Sequence, residues 1–159
     1  MPADPPATRS GDRRRIHVDG YDVDDDPGRV DRDVVVEFLS TEAYWGMWRA
    51  REDMIRQIDG AWRLVGAYQR SSGAMVGFAR AVSDGVSIAY LTDVFVAPAH
   101  RGLRLGRALL SLMIDDGPGA DLRWLLHTCD AHGLYADHGF AAPDHTLMER
   151  PSGPSRRNA

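Results

Sequence analysis

The chain has 159 residues, 43% of them hydrophobic and 26% charged, which fits one soluble globular domain with its own core. A formal charge of -4 argues against nucleic acid as a partner, since such binding needs basic surface, and no apolar run reaches the roughly 18 residues of a membrane span. The single Cys129 excludes an intrachain disulfide and fits a reducing cytoplasm.

Residues 1–12 and 151–159 carry Pro, Gly, Ser and Thr without periodicity and read as disordered tails around one domain, 13–150. Met1 to Arg15 has no apolar h-region, so no secretory signal is expected. Arg14 to Val18 is a first strand, and Asp22 to Asp33 an acidic loop. Asp31 or Asp33 can N-cap a helix through Leu39. The aromatic stretch Tyr44, Trp45, Met47, Trp48 follows, then a helix with Met54, Ile55 and Ile58 on one side, stopped by Gly60.

Trp62 to Tyr68 and Met75 to Val82 are strands, and Asp84-Gly85 is a hairpin signal. Val86 to Val96 is a long, nearly continuous apolar strand ended by Pro98. A helix from about Gly102 to Asp115 buries Leu105, Ala108, Leu109, Leu112 and Met113, spaced i, i+3, i+4, i+7, i+8. Leu122 to Thr128 is a strand, Asp130 can cap a short helix ending at Gly139, and Thr146 to Glu149 is a last strand. The sum is a mixed α/β sheet with helices on its faces.

The chemistry concentrates in Val94 to Leu110. A buried strand breaks at Pro98 and opens through a short loop into an amphipathic helix. A helix start leaves backbone N–H groups unpaired and carries partial positive charge. Gly102 and Gly106 thin the turn, and Arg101, Arg104 and Arg107 add charge at spacing three, which makes a pyrophosphate cradle. The alternative is a helix start that uses Gly for turning and Arg for solubility.

Arg101-Gly102-Leu103-Arg104-Leu105-Gly106 resembles the acetyl-CoA signature of the GNAT acetyltransferases: Arg or Gln, two residues, Gly, one residue, Gly or Ala. The preceding Val94-Phe95-Val96 resembles that family's strand, and Leu134-Tyr135 to Gly139-Phe140 resembles its Leu-Tyr-x-x-x-Gly-Phe ending. The resemblance covers roughly Trp62 to Glu149 and departs at Arg104, where the pattern has Gly. It implies an α/β fold with a mixed, mostly antiparallel central sheet flanked by helices on both faces. It implies acetyl-CoA as cosubstrate, no metal, and direct transfer to a primary amine on a small molecule or protein. Val94, Phe95, Val96 and the loop Arg101, Gly102, Leu103, Arg104, Leu105, Gly106, Arg107 would hold acetyl-CoA. Tyr135 would protonate the departing thiolate, which a phenol of pKa about 10 can do for a thiol of about 8.5. A core tyrosine is the plainer alternative for Tyr135.

An attacking amine must be neutral, and a lysine-like amine is neutral only about one part in a thousand near pH 7. Asp93, among apolar neighbours expected to raise its pKa, is a candidate base; a buried carboxylate satisfied by an Arg or backbone partner is its alternative. Tyr44, Trp45 and Trp48 would wall the acceptor site in the family, suiting an apolar or cationic amine, or else serve core or homodimer packing. His132, His138 and His145 lack helical ligand spacing, so no metal is expected. Two other functions remain open: a non-catalytic acetyl-CoA-binding sensor, and an unrelated nucleotide-binding domain, disfavoured because a chain without Lys has no phosphate-loop lysine.

Overall fold

The computed structural model describes residues 13–43 and 48–150. The two expected tails lie outside the described residues, as do Tyr44, Trp45 and Met47 of the aromatic stretch.

The elements are β1 (Arg15–Val18), β2 (Tyr21–Asp24), α1 (Arg32–Thr41), α2 (Arg51–Asp59), β3 (Arg63–Gln69), β4 (Met75–Ser83), β5 (Ile88–Val96), α3 (Leu105–Leu110), β6 (Arg123–Leu125) and α4 (His132–Ala136). The six strands form one sheet in chain order, antiparallel except for the parallel pair β5 and β6. One face packs on α3, where Leu105, Leu109, Leu112 and Met113 meet Val65, Ala79 and Leu91. The other packs on α1 and α2, where Val35, Leu39, Met54 and Ile58 meet Phe78 and Phe95. This is the mixed, mostly antiparallel sheet with helices on both faces that the motifs imply.

Three local differences have physical causes. Tyr21–Asp24 is a strand, not loop: Asp19-Gly20 turns the chain, with Gly20 at φ 78°, and Tyr21 and Val23 are buried. The acidic run behind it is neutralised from within. Asp24 pairs with Arg29 and lies near Arg15, Asp25 accepts from Arg63 at 2.9 Å, and Asp26 accepts from Arg13 at 2.7 Å. Thr146 to Glu149 forms no strand; Asp144 accepts from the Thr146 N–H at 2.8 Å in a turn, and the segment stays irregular and exposed. The helix starts at Leu105, not Gly102, and its last turn widens to π geometry over Ser111–Asp115.

Two features of β5 position the site. Phe78 pairs with Phe95 but Arg80 with Thr92, so Asp93 and Val94 both stand opposite Ala79. Asp93 absorbs this bulge in the left-handed region, at φ 54°. The bulge swaps the faces: Leu91 packs on the α3 side before it, and Val94 and Val96 do so after it, while Phe95 turns to the α1 side. On the other edge, β6 pairs only with Ile88–Tyr90. Among the described residues, β5 from Leu91 onward has a strand neighbour on the β4 side alone.

Candidate active site

The C-terminal end of β5 leads into the loop before α3. Pro98–His100 forms a 3₁₀ turn, tied to β2 by a 2.7 Å bond between the Tyr21 hydroxyl and His100 Nδ1. Arg101 clamps the loop to the strand end, its Nε donating to the Val96 carbonyl at 2.9 Å. Arg104 then sits at the helix N-cap with φ 64°, the left-handed conformation natural to the glycine that the family pattern has there. Among the described residues, the backbone N–H groups of Gly102 to Arg107 donate to no protein acceptor. A Cβ at Gly102 would meet nothing within 4 Å, and one at Gly106 only Leu134 Cδ2 at 3.6 Å. An open row of unpaired donors at a helix start fits a diphosphate.

The three arginines divide their roles. Arg101 holds the loop, and Arg107 pairs with Asp137 of the α4 end at 2.7 Å. Arg104 makes no side-chain hydrogen bond or ion pair among the described residues and is exposed. Val94 and Val96 line the α3 side of the free edge. The Phe95 ring stacks on Phe38 at 3.9 Å on the opposite side, and its carbonyl lies toward Gly77 of β4.

Asp93 is 4% exposed and holds two guanidinium groups. Arg49 donates to both its oxygens, at 2.7 and 3.1 Å, and Arg80 Nε donates at 2.9 Å. Burial pushes the Asp93 pKa up, but the hydrogen bonds and charges of Arg49 and Arg80 outweigh it and hold the carboxyl below its usual range. The expected rise from apolar neighbours is therefore corrected: the decisive neighbours are two cations, one of them 44 residues away in sequence.

Tyr135 projects from α4, half-buried, its ring edge-on to Phe140 at 5.9 Å. Burial, and secondarily the Asp130 charge, raises its pKa, so the hydroxyl keeps its proton. Asp130 does not cap α4; Thr128 Oγ1 instead accepts from the Ala131 N–H at 3.1 Å. Tyr135, His132 and Phe140 line a cavity of about 760 Å³ between β6, α4 and the C-terminal segment. Trp48 is exposed and lines a smaller polar groove with Arg49, Asp53 and Gln57; Tyr44 and Trp45 lie outside the described residues. Cys129 is exposed and unpaired. Among the described residues no three His, Cys, Asp or Glu side chains gather as metal ligands, and no described helix is long and apolar enough to cross a membrane.

Residues 34–140 match the acetyltransferase (GNAT) family. The chain belongs to that family. It is similar to a GNAT-family protein from Xanthomonas campestris pv. campestris, at 36% identity and TM-score 0.75, over 83% of this chain and 93% of that one. It is also similar to serotonin N-acetyltransferase 2 of Oryza sativa subsp. japonica, 41% identical over 45% of this chain and 36% of that protein. An acetyltransferase of Gibberella zeae, FG08082, is 30% identical over 54% of this chain and 46% of its own length. The chain thus spans less than half the length of these two curated relatives.

In this GNAT chain, sequence reasoning missed the partners that assemble from afar. Arg49 and Arg80 reach Asp93 from the α1–α2 loop and from β4, and no local spacing announces them. Tyr90 and His127 meet because β5 and β6 pair in parallel, with their hydroxyl and Nδ1 at 2.7 Å. The one available signal was chemical: Tyr90 is a phenol inside a largely apolar strand.

Proposed function

We propose that this chain transfers an acetyl group from acetyl-CoA directly to a primary amine. The observation that carries the reading is the row of unpaired N–H groups from Leu103 to Arg107 at the start of α3, with α4, which bears Tyr135, held against it by the 2.7 Å Arg107–Asp137 pair. The loop donors would hold the diphosphate, and Arg104 would add a charge to it. The edge of β5 beyond Tyr90 that pairs with no strand offers backbone donors and acceptors to the amide-bearing arm of the cosubstrate, in the manner of strand addition, although the Val96 carbonyl is taken by Arg101. Tyr135, still protonated at neutral pH, would give its proton to the leaving thiolate.

Asp93 serves this reaction better as an anchor than as a base. A carboxylate whose pKa is held down by two arginines takes protons poorly. Its bonds fasten Arg49, and with it the end of the α1–α2 loop, to the bulge of β5. The aromatic residues of that loop, Tyr44, Trp45 and Trp48, would wall the acceptor. Likeness to a serotonin N-acetyltransferase supports an amine on an aromatic body as one acceptor class.

The test follows thiol release from acetyl-CoA with serotonin, phenethylamine, spermidine and a lysine peptide, each product checked by mass. Amine-dependent release with an acetylated product supports transfer. A rise in melting temperature with acetyl-CoA but no release on any amine favours the sensor reading.

A further inference from the structure

The parallel pairing of Ile88–Tyr90 with Arg123–Leu125 sets Tyr90 beside Leu125. Side chains alternate along a strand. Trp124 and Leu126 pack on the α3 side, so Leu125 and His127 turn to the opposite face. Leu91 also packs on the α3 side, ahead of the bulge, so Tyr90 shares that opposite face with His127. There the Tyr90 hydroxyl meets His127 Nδ1 at 2.7 Å, and His127 Nε2 meets a Glu149 carboxylate oxygen at 3.0 Å. The geometry selects one tautomer: Nδ1 accepts from the phenol and Nε2–H donates to the carboxylate. All three residues line the same 760 Å³ cavity as Tyr135.

We propose that Tyr90, His127 and Glu149 form a proton exit that neutralises the acceptor ammonium on the face opposite Tyr135. This rests on the acetyl-transfer reading above. Tyr90 would touch the amine; His127 and Glu149 act through it. The ammonium gives a proton to the Tyr90 oxygen as Tyr90 passes its own to His127 Nδ1. The Glu149 carboxylate holds the resulting imidazolium, which releases its Nε2 proton to water, and exchange with solvent returns the ring to its Nε2–H tautomer, since His127 and Glu149 side chains are 67% and 62% exposed. The neutral amine then attacks the thioester carbonyl: the C–N bond forms and the C–S bond breaks. The thiolate takes the Tyr135 proton, and the second nitrogen proton restores Tyr135. The sum is ammonium plus acetyl-CoA giving acetamide, free thiol and one released proton.

The arrangement suits a relay and not a phenolate. Burial first, then the Glu149 and Asp93 charges, raise the Tyr90 pKa against the opposing Arg80. The phenol therefore stays protonated and conducts protons without storing one. The titratable and charged groups facing His127 across the cavity are Tyr90 on β5, His132 and Tyr135 on α4, and Glu149 and Arg150 on the C-terminal segment.

The experiment is the pH dependence of kcat/KM for the full chain and its variants, with whichever of the four amines turns over fastest. His127→Gln should lower kcat/KM by about 10²-fold or more near pH 7. It should also abolish the acidic limb of the profile. The deficit should shrink toward pH 10, where the amine deprotonates unaided. Tyr90→Phe should behave alike. Glu149→Gln should lose only several-fold, because the imidazolium has lost its anion. Imidazole added to His127→Ala should restore part of the rate. Acetyl-CoA affinity and melting temperature should hold in every variant. A limb that survives His127→Gln, or a deficit equal at pH 7 and pH 10, overturns the relay and leaves transfer standing. Wild-type protein that acetylates none of the four amines removes both readings together.

Discussion

Arg49 grips Asp93 with both ends of its guanidinium, at 2.7 and 3.1 Å, and the two side chains are 6% and 3% exposed. With Arg80 at 2.9 Å on the same carboxylate, the loop before α2, the bulge of β5 and the middle of β4 share one ion. Gln57 of α2 completes the bond set, accepting from Arg49 at 2.6 Å. The knot is buried where the α1–α2 loop rejoins the sheet, so its loss would loosen the fold and that loop together.

Asp93→Asn should therefore destabilise the protein by about 3–5 kcal/mol at neutral pH, the cost typical of leaving buried partners without their counter-charge. The pH dependence has a defined sign. The folded pKa of Asp93 lies below its unfolded value of about 3.9, so its contribution is full above about pH 4 and fades as pH falls through the folded value. Denaturant melts should show wild type losing more stability than the Asn variant on going from pH 5 to pH 2. Equal acid sensitivity in the two proteins would show that Asp93 titrates normally.

The acidic run before α1 carries a similar load. Asp25 faces Arg63, itself nearly buried, whose other nitrogen donates to the Leu112 carbonyl at 2.8 Å. Burial already lowers the Arg63 pKa, and Asp25 opposes that cost. Asp25→Asn should lower stability by about 3 kcal/mol, and leave KM for a cationic amine at low salt unchanged. A raised KM with unchanged stability would instead make the run a steering field for cations.

Arg104 predicts two effects of opposite sign. Replacing it by Gly removes a left-handed side chain, worth about 1 kcal/mol after the entropy of glycine is counted. It also removes the one arginine of the loop that has no partner among the described residues. The variant should melt a few degrees higher yet bind acetyl-CoA several-fold more weakly, with a shallower salt dependence by titration calorimetry. Tighter binding would mean that the side chain crowds the loop.

How far the sequence reached follows from the range of each interaction. The stripe Leu105, Ala108, Leu109, Leu112, Met113 is a local periodicity, and all five residues are buried as expected. The Gly-rich turn and the two family motifs are also local, and they singled out the loop and Tyr135 as candidates. Strand β2 was within reach, since Asp19-Gly20 stands between alternating apolar residues, but the density of aspartates after it reads as solvent. Only tertiary structure reveals that those aspartates face arginines from β1, β3 and the turn before α1. The sign of the Asp93 pKa lay out of reach for the same reason: it is set by Arg49 and Arg80, which sequence distance hides.

Tyr135 gives the most direct test of acetyl transfer with an acid at the thiol. Tyr135→Phe keeps the ring against Phe140 and deletes only the hydroxyl. On the best amine of the panel, kcat and kcat/KM should fall together by roughly 10²–10⁴-fold, as for a bond made mainly in the transition state. Acetyl-CoA affinity and melting temperature should hold. A variant that is equally stable and fully active would contradict the account, because the thiolate would then leave without the acid proposed for Tyr135.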